Sequence, residues 1–184
     1  MKKSSKLWTL SIFLALARSA FAGEYSIEID LEEQRAYLLF HNRMVLESPI
    51  CSGRANYPTP TGSFHVIEKD ALHRSSLYGK IVNSEGRTVI ADADADMTVP
   101  PGMRFVNAPM PYFLRFTGGI GLHEGYLPGY PASHGCVRLP KDRAIAFYNA
   151  AEVGTPVTVF GHAPAAATAS PHPSRGWMSS LLRR

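Results

Sequence analysis

Alternating apolar and polar positions near the start of the chain predict β-strands. Residues 25–30 (Tyr-Ser-Ile-Glu-Ile-Asp) alternate with period two, which is the pattern of a strand with one buried face. Apolar residues dominate 35–40 and 44–46, and His41-Asn42 between them suits a tight turn because Asn tolerates a positive φ. This part of the chain therefore predicts a strand followed by a β-hairpin.

The remaining pattern predicts further strands and one principal helix. Tyr-Pro-Thr-Pro-Thr-Gly at 57–62 predicts a rigid loop, whereas residues 70–110 show no regular period. Helix formers fill 141–151, and Pro140 suits the first turn of that helix. Additional strands are predicted at 63–67, 112–117, 120–122 and 156–160. The fold class predicted from the pattern is mainly β with one helix.

The two ends of the chain differ in composition from its middle. Lys2, Lys3 and Lys6 precede an apolar run at 7–17, and Ala20-Phe21-Ala22 follows at the spacing of a cleavage site. This layout predicts a cleaved signal peptide at 1–22 and a periplasmic or cell-envelope location. Residues 23–162 form the predicted domain, and the Ala/Pro/Ser-rich residues 163–184 form a predicted flexible tail.

The net charge argues against nucleic acid as a partner. The whole chain carries 19 Lys and Arg against 15 Asp and Glu. Four of the basic residues, Lys2, Lys3, Lys6 and Arg18, lie in the predicted signal peptide, which leaves 15 basic and 15 acidic residues. The predicted mature protein is therefore neutral, and its charge offers no electrostatic footprint for binding a polyanion.

The residues that could form a catalytic site are concentrated between His123 and Arg138. A thiol is weakly nucleophilic until a nearby base or cation favours its thiolate, and an acyl-transfer site also needs donors for the oxyanion. Cys136 has His134 two positions before it, Arg138 two positions after it and His123 on the end of a predicted strand. Gly135 permits a tight backbone turn beside the cysteine. This set predicts a cysteine nucleophile.

Metal sites fit the sequence poorly, and no cofactor is predicted. His123, His134 and Cys136 are zinc-ligand types, but their spacing matches no common zinc motif. The Asp-rich run 91–96 lacks the Gly and Glu that a calcium loop requires, since Met97 and Met103 occupy those positions counted from Asp92. We interpret that run as a solvated acidic loop.

The run Ser-His-Gly-Cys-Val-Arg at 133–138, with His123 upstream, resembles the active-site signature of the L,D-transpeptidase catalytic domain family (YkuD-like). The loop 57–64 and the segments 73–79, 110–113 and 154–157 also resemble stretches of that family, in the same order. The resemblance covers about Tyr25 to Phe160. It implies a β-sandwich or barrel of mixed sheets with the principal helix after the cysteine motif.

The resemblance also implies a reaction. Cys136 attacks the L-centre carbonyl of diaminopimelate in a peptidoglycan stem tetrapeptide, releases D-Ala and forms a thioester. An amine from a second stem peptide, or from an envelope protein to be anchored, then resolves the thioester. By position, His123 corresponds to the residue that accepts and donates the proton. Covalent addition of carbapenems to Cys136 is a further expectation.

Other residues of the motif receive supporting roles from the resemblance. The backbone N–H groups of His134, Gly135 and Cys136 correspond to the oxyanion hole, and Ser133 orients the loop by hydrogen bonding. Arg138 corresponds to a position that braces the site and contacts a substrate carboxylate, for which the guanidinium is suited.

Two features depart from the family pattern. The stretch between His123 and Ser133 is shorter than in many members, and Glu124 follows His123 where Gly or Ser is commoner; we interpret Glu124 as facing solvent. Cys51 occupies a strand end where Ser or Thr is commoner. Two alternatives remain open for it: a buried free thiol, or a reversible disulfide with Cys136 that silences the enzyme.

Three functional alternatives also remain open. An L,D-carboxypeptidase would form the same thioester and resolve it with water. A cell-wall cysteine endopeptidase or amidase usually places its histidine after the nucleophile, whereas His123 and His134 precede Cys136 here. A non-catalytic wall-binding module would be expected to have lost part of this set. The acceptor, the oligomeric state and the role of the tail are not predicted.

Overall fold

The computed structural model describes residues 24–164. The predicted signal peptide and nearly all of the predicted tail lie outside the described residues. Within this range the chain forms strands β1 (Tyr25–Asp30), β2 (Arg35–Phe40), β3 (Arg43–Pro49), β4 (Gly62–His65), β5 (Glu68–Asp70), β6 (Arg74–Val82), β7 (Thr88–Asp94), β8 (Arg104–Pro109), β9 (Phe113–Thr117), β10 (Ile120–Glu124), β11 (Val137–Leu139) and β12 (Pro156–Phe160), with helix α1 (Lys141–Ala150) before β12. The fold is mainly β, as predicted.

The N-terminal strands belong to a five-stranded sheet in the order β3-β2-β1-β12-β4. Strand β1 pairs parallel with β12 and antiparallel with β2, so the sheet is mixed. The alternation seen in the sequence is real, because Ile27 and Ile29 are fully buried while their neighbours are partly exposed. The predicted hairpin turn is also confirmed, with φ of 49° at His41 and 59° at Asn42.

A four-stranded sheet in the order β11-β10-β9-β5 packs against the first sheet and carries the site. Both sheets contribute to one hydrophobic core, which includes Ile29 and Val157 from the first sheet and Leu122 and Val137 from the second. Because β10 and β11 pair parallel, with His123 opposite Arg138, two candidate residues are adjacent in the sheet. The architecture is therefore a β-sandwich of mixed sheets, as the resemblance implied.

Residues 70–110 depart from the prediction, because most of them form a third sheet in the order β7-β6-β8. Most side chains of its strands are exposed or only partly buried, and the pairing has several register shifts, so neither a clean alternation nor a long apolar run marks them. The interpretation of 91–96 as a solvated loop was correspondingly wrong in part. Asp92 and Asp94 lie in β7, and only the residues after them form a turn.

The helix follows the cysteine segment and packs on the sandwich. Pro140 is the N-cap residue of α1, so it lies just before the first turn in which it was predicted. The helix ends at Ala150. Ala144 and Phe147 bury its inner face, and Ala151 is fully buried directly after it. No helix in residues 24–164 has the length and apolar character needed to cross a bilayer.

Candidate active site

One cavity of about 520 Å³ is lined by most of the candidate residues. Its walls come from β6 of the three-stranded sheet, from the end of β8, and from the β9–β10 turn and the cysteine segment beside the four-stranded sheet. The sequence-predicted residues that line it are His123, Ser133, His134, Cys136 and Arg138. The tertiary structure therefore brings together side chains that the sequence separates by up to fifteen positions.

Ser133 organises the segment that carries the cysteine. Its side chain is almost completely buried, its hydroxyl donates to the carbonyl oxygen of Cys136, and it accepts the N–H of Gly135 at 3.0 Å. The prediction that Ser133 holds the loop by hydrogen bonds matches these contacts. The expected oxyanion role of the Gly135 N–H is corrected by the same contact, because this N–H already donates to the Ser133 hydroxyl. The segment's remaining backbone donors for an oxyanion are those of His134 and Cys136, and neither bonds a protein acceptor within residues 24–164.

Gly135 occupies a position that other residues fit poorly. Its φ is 110°, outside the range that L side chains adopt readily, and a Cβ added there would lie 3.1 Å from Cδ1 of Ile120. The carbonyl of Gly135 accepts a hydrogen bond from Oγ1 of Thr59 at 2.7 Å, and the same hydroxyl accepts the N–H of Gly53 at 2.9 Å. The loop that contains Thr59 therefore supports the cysteine segment through this hydroxyl.

His123 is buried at 6% exposure and has a defined ring orientation. Because a carbonyl oxygen only accepts, the 2.7 Å contact between Nδ1 and the main-chain oxygen of Glu124 places a hydrogen on Nδ1. Nε2 is then an acceptor. Burial lowers the pKa of His123 to about 4, with the charges of Arg138 and His73 acting in the same direction. The imidazole is therefore neutral at pH 7 and available as a base.

The thiol of Cys136 is half-buried and donates to the carbonyl of Gly119 at 3.7 Å. Burial raises its pKa above the ordinary value, although the backbone N–H of Gly121 and the charges of Arg138 and Arg115 favour the thiolate. The thiol is thus uncharged at rest. A reaction at sulfur requires proton removal as it proceeds, rather than a preformed thiolate.

The side chain of His134 lies in a polar and aromatic cluster. Nη2 of Arg54 is 2.6 Å from its Nε2, and the ring of Tyr78 stacks on it with centroids 4.1 Å apart. Tyr57 meets the ring edge-on at 4.7 Å. Burial lowers the pKa of His134, so its imidazole is neutral as well. These partners were not predicted, because they lie in the loop before β4 and in the region 70–110.

Arginines give the cavity a positive character. Arg115 donates to Glu68 at 2.6 Å, and Arg74 donates to the carbonyl of Asn107 at 3.2 Å. No carboxylate lies within 4 Å of the Arg138 guanidinium among residues 24–164. The aliphatic stem of Arg138 packs against Gly125, where an added Cβ would lie 2.9 Å from its Cγ. A negatively charged group entering the cavity would therefore meet Arg138 without displacing an existing partner.

Cys51 is a fully buried free thiol, in agreement with the simpler of its two sequence interpretations. Its Sγ donates to the carbonyl of Tyr130 at 3.4 Å, whereas Cys136 donates to Gly119. Its backbone pairs with Arg138 in both directions at 3.0 Å, so it supports the strand that follows the cysteine motif. The structure does not support the disulfide hypothesis.

Potential metal ligands converge at one place within residues 24–164. Glu68, Asp70 and His73 have ligand atoms within 4.8 Å of one another. Glu68 is already paired with Arg115, so a cation there would compete with the guanidinium. His123, His134 and Cys136 do not form such a group in the described residues.

Comparisons with known proteins point to one family. The L,D-transpeptidase catalytic domain (YkuD) matches residues 24–159. The probable L,D-transpeptidase 3 of Mycobacterium tuberculosis is 32% identical over 120 residues, covering 60% of this chain and 37% of the relative. The chain thus spans about a third of that curated relative.

Solved structures share the fold. An L,D-transpeptidase from Stackebrandtia nassauensis aligns with a TM-score of 0.56 at 21% identity, covering 80% of this chain and 63% of that one. The Ldtfm–avibactam carbamoyl enzyme aligns with a TM-score of 0.54 at 28% identity, covering 75% and 49%. The match over residues 24–159, together with the cavity built around Cys136, shows that the chain belongs to the L,D-transpeptidase catalytic domain family.

Proposed function

We propose that this protein is an exported L,D-transpeptidase that acts on peptidoglycan stem tetrapeptides through a thioester on Cys136. The observation that carries the proposal is the shared cavity: a half-buried thiol and a neutral imidazole whose Nε2 can accept a proton line the same 520 Å³ space. Family membership and the curated relative with that name support the same activity.

Acylation follows from the protonation states of these two groups. Nε2 of His123 takes the thiol proton as the sulfur of Cys136 attacks the carbonyl carbon at the L-centre of diaminopimelate. The carbonyl electrons move onto oxygen, where the N–H groups of His134 and Cys136 stabilise the negative charge. When the intermediate collapses, the C–N bond to D-Ala breaks. His123 returns the proton to the departing amine.

Deacylation reverses the same path with a new nucleophile. An acceptor amine attacks the thioester carbon, loses a proton to His123 and forms an amide, and the sulfur leaves and regains a proton. A stem-peptide amine would give a cross-link, and an amine of an envelope protein would anchor that protein. Water in place of the amine would make the protein an L,D-carboxypeptidase, which is the principal alternative.

Arg138 supplies the charge that orients the donor peptide. Its guanidinium lacks a carboxylate partner within residues 24–164 and lines the cavity beside Cys136. Stem peptides carry carboxylates, and arginine binds these groups with two parallel hydrogen bonds. Arg74, which also lines the cavity, adds positive charge. A donor peptide would therefore be held by its negative groups while the reacting carbonyl faces the thiol.

Product analysis tests the proposed function. The protein is incubated with a disaccharide-tetrapeptide, and the products are measured by mass spectrometry. A cross-linked dimer with release of D-Ala is expected, and tripeptide alone would assign the carboxypeptidase reaction instead. Cys136→Ala serves as the control. Products identical for the two proteins would overturn the enzymatic assignment and favour a wall-binding module.

A β-lactam provides an independent probe of the thiol. Attack of Cys136 on the strained ring carbonyl opens the ring and leaves an acyl group on sulfur, so a carbapenem adds its full mass. The relative at 28% identity forms a carbamoyl enzyme with avibactam, which supports covalent capture of this kind. Intact-protein mass spectrometry should show one adduct on the wild type and none on Cys136→Ala.

The proposed location is the periplasm or cell envelope, where the substrate is found. It is supported by the basic, apolar and small-residue order of 1–22. Cell fractionation followed by mass measurement of the recovered protein tests it. We expect a mature form that begins at residue 23. An intact N-terminus in the cytoplasmic fraction would contradict it.

A further inference from the structure

The side chain of His134 is held by residues from three separate parts of the fold. Arg54 and Tyr57 come from the loop before β4, Tyr78 comes from β6 and Asp92 from β7. Its imidazole is only 10% exposed. A side chain this far enclosed has one available orientation, and that orientation constrains the backbone of the residue between Ser133 and Gly135.

An ion pair and a hydrogen bond share the Arg54 guanidinium. Nη2 contacts Nε2 of His134 at 2.6 Å, while Nη1 contacts Oδ2 of Asp92 at 3.3 Å. Because guanidinium only donates, Nε2 of His134 is the acceptor and the ring hydrogen is on Nδ1. Asp92 directs the planar fork of Arg54, and the other carboxylate oxygen lies 3.7 Å from the same Nε2. Only a neutral His134 satisfies this arrangement.

We infer that Arg54 and Asp92 are positioning residues of the cysteine loop, acting through His134 to hold its backbone N–H toward the oxyanion. The inference rests on the proposed function, because that N–H is one of the two donors left after Ser133 engages Gly135. It assigns a role to two residues outside the cysteine motif. It also links the three-stranded sheet, through Tyr78 and Asp92, to the segment that carries the nucleophile.

The charges around His134 set the expected direction of each substitution. Arg54 and Arg138 lower its pKa, whereas Asp92 and Asp94 raise it, and burial is the largest influence. Replacing Arg54 by Met removes both the donor and a repelling positive charge, so the His134 ring becomes easier to protonate. Replacing Asp92 by Asn keeps the shape but frees Arg54 from its orienting partner, and the His134 pKa falls further.

Histidine ring NMR tests the first half of the inference. In protein labelled with ¹⁵N-histidine, the His134 signals are assigned by comparison with His134→Gln. We expect the wild type to show an unprotonated Nε2 and a protonated Nδ1, and Arg54→Met to show a mixture of tautomers and protonation at a higher pH. Identical His134 spectra and titrations in both proteins would overturn the inference without reference to any activity.

The rate of acylation tests the second half. Carbapenem adduct formation is followed by intact mass at several pH values for wild type, Arg54→Met and Arg54→Lys. Misplacing a catalytic group by about 1 Å lowers a rate on the order of 100-fold. We therefore expect the acylation rate of Arg54→Met to fall about 10- to 100-fold below that of the wild type. The difference in acylation rate between Arg54→Met and the wild type should increase as the pH falls, because His134 then becomes protonated in the variant. Partial rescue is expected for Lys, which donates to His134 but cannot also fork to Asp92.

Arg35→Met is the matched control, because Arg35 forms a comparable ion pair with Glu47 at 3.4 Å and neither residue lines the cavity. It should acylate like the wild type. Asp92→Asn provides a second test if Arg54→Met does not fold, since the Asp92 side chain is 65% exposed. Equal acylation of wild type and Asp92→Asn, or of wild type and folded Arg54→Met, would refute the positioning role. No acylation of the wild type would instead refute the proposed function, and the NMR result would still stand.

Discussion

His123 donates its Nδ1 hydrogen to the main-chain oxygen of Glu124, with 2.7 Å between the two atoms. The residue after the candidate base thus contributes its backbone, and its side chain type matters little for this contact. That explains why Glu at a position where Gly or Ser was expected leaves the site intact. It also fixes which nitrogen of His123 is free to take a proton from Cys136.

Burial of neutral His123 makes stability depend on pH. Its pKa falls from 6.5 in the unfolded chain to about 4 in the folded protein, so the unfolded state binds more protons between these values. The contribution of His123 to the free energy of unfolding is fully present above pH 6.5. It decreases by up to about 3 kcal/mol as the pH falls toward 4. Urea unfolding of wild type and His123→Gln checks this. The stability difference between the two proteins should shrink on acidification, and a constant difference would contradict the assignment.

Removing the hydroxyl of Ser133 should loosen the cysteine loop. Ser133→Ala loses the bonds to the Cys136 carbonyl and the Gly135 N–H inside a buried site, which costs about 1–3 kcal/mol. Acylation by a carbapenem should slow by about 10- to 100-fold because the oxyanion donors shift. Ser48→Ala is the control, since Ser48 is equally buried but lies outside the cavity. Equal acylation rates for the two variants would show that Ser133 does not position the loop.

A methyl group at Gly135 should impair both folding and acylation. Gly135→Ala places a side chain at a φ of 110° and 3.1 Å from Ile120, and strain of this kind costs about 1–3 kcal/mol. Gly154→Ala is the matched control: its φ is 98°, and nothing lies within 4 Å of the added Cβ. Thermal unfolding and adduct formation are measured together. Both variants should lose stability, whereas acylation should slow only for Gly135→Ala.

Substitution of Arg138 should change which donor peptides react. Arg138→Gln is expected to lose about 10-fold or more in kcat/KM for a tetrapeptide with free carboxylates, because a charge-assisted pair contributes about 1.5–3 kcal/mol. A donor with an amidated diaminopimelate side chain should be affected less. Arg143→Gln, on the exposed side of α1, makes the same change in net charge away from the cavity. Equal losses for both donors would argue against carboxylate recognition.

The two cysteines should differ in reactivity. Cys51 is fully buried and Cys136 is half-buried, so a small alkylating reagent should modify Cys136 in the native protein and both residues only after unfolding. Peptide mapping by mass spectrometry identifies the site. Acylation measured with and without reductant should be the same. Loss of activity on mild oxidation, restored by a reductant and absent in Cys51→Ala, would revive the disulfide hypothesis.

Short-range chemistry explains what could be predicted. The alternation of residues 25–30, the His41-Asn42 turn and the helix after Pro140 each depend on neighbours in the chain, and the structure confirms them. Ser133, Gly135 and Cys136 lie within four consecutive positions, so their mutual hydrogen bonds are local as well. A prediction based on spacing succeeds where the contacts join residues close in sequence.

Long-range packing decided the rest. The sequence by itself determined the mainly β fold, the cysteine motif and His123 as a candidate base. Tertiary structure decided that Arg54 and Asp92, 38 positions apart, converge on His134, and that the irregular region 70–110 forms a wall of the cavity. It also decided the protonation states, because burial in the folded protein lowers the pKa of His123 and raises that of Cys136. Desolvation depends on all surrounding atoms, and no local pattern in the sequence records it.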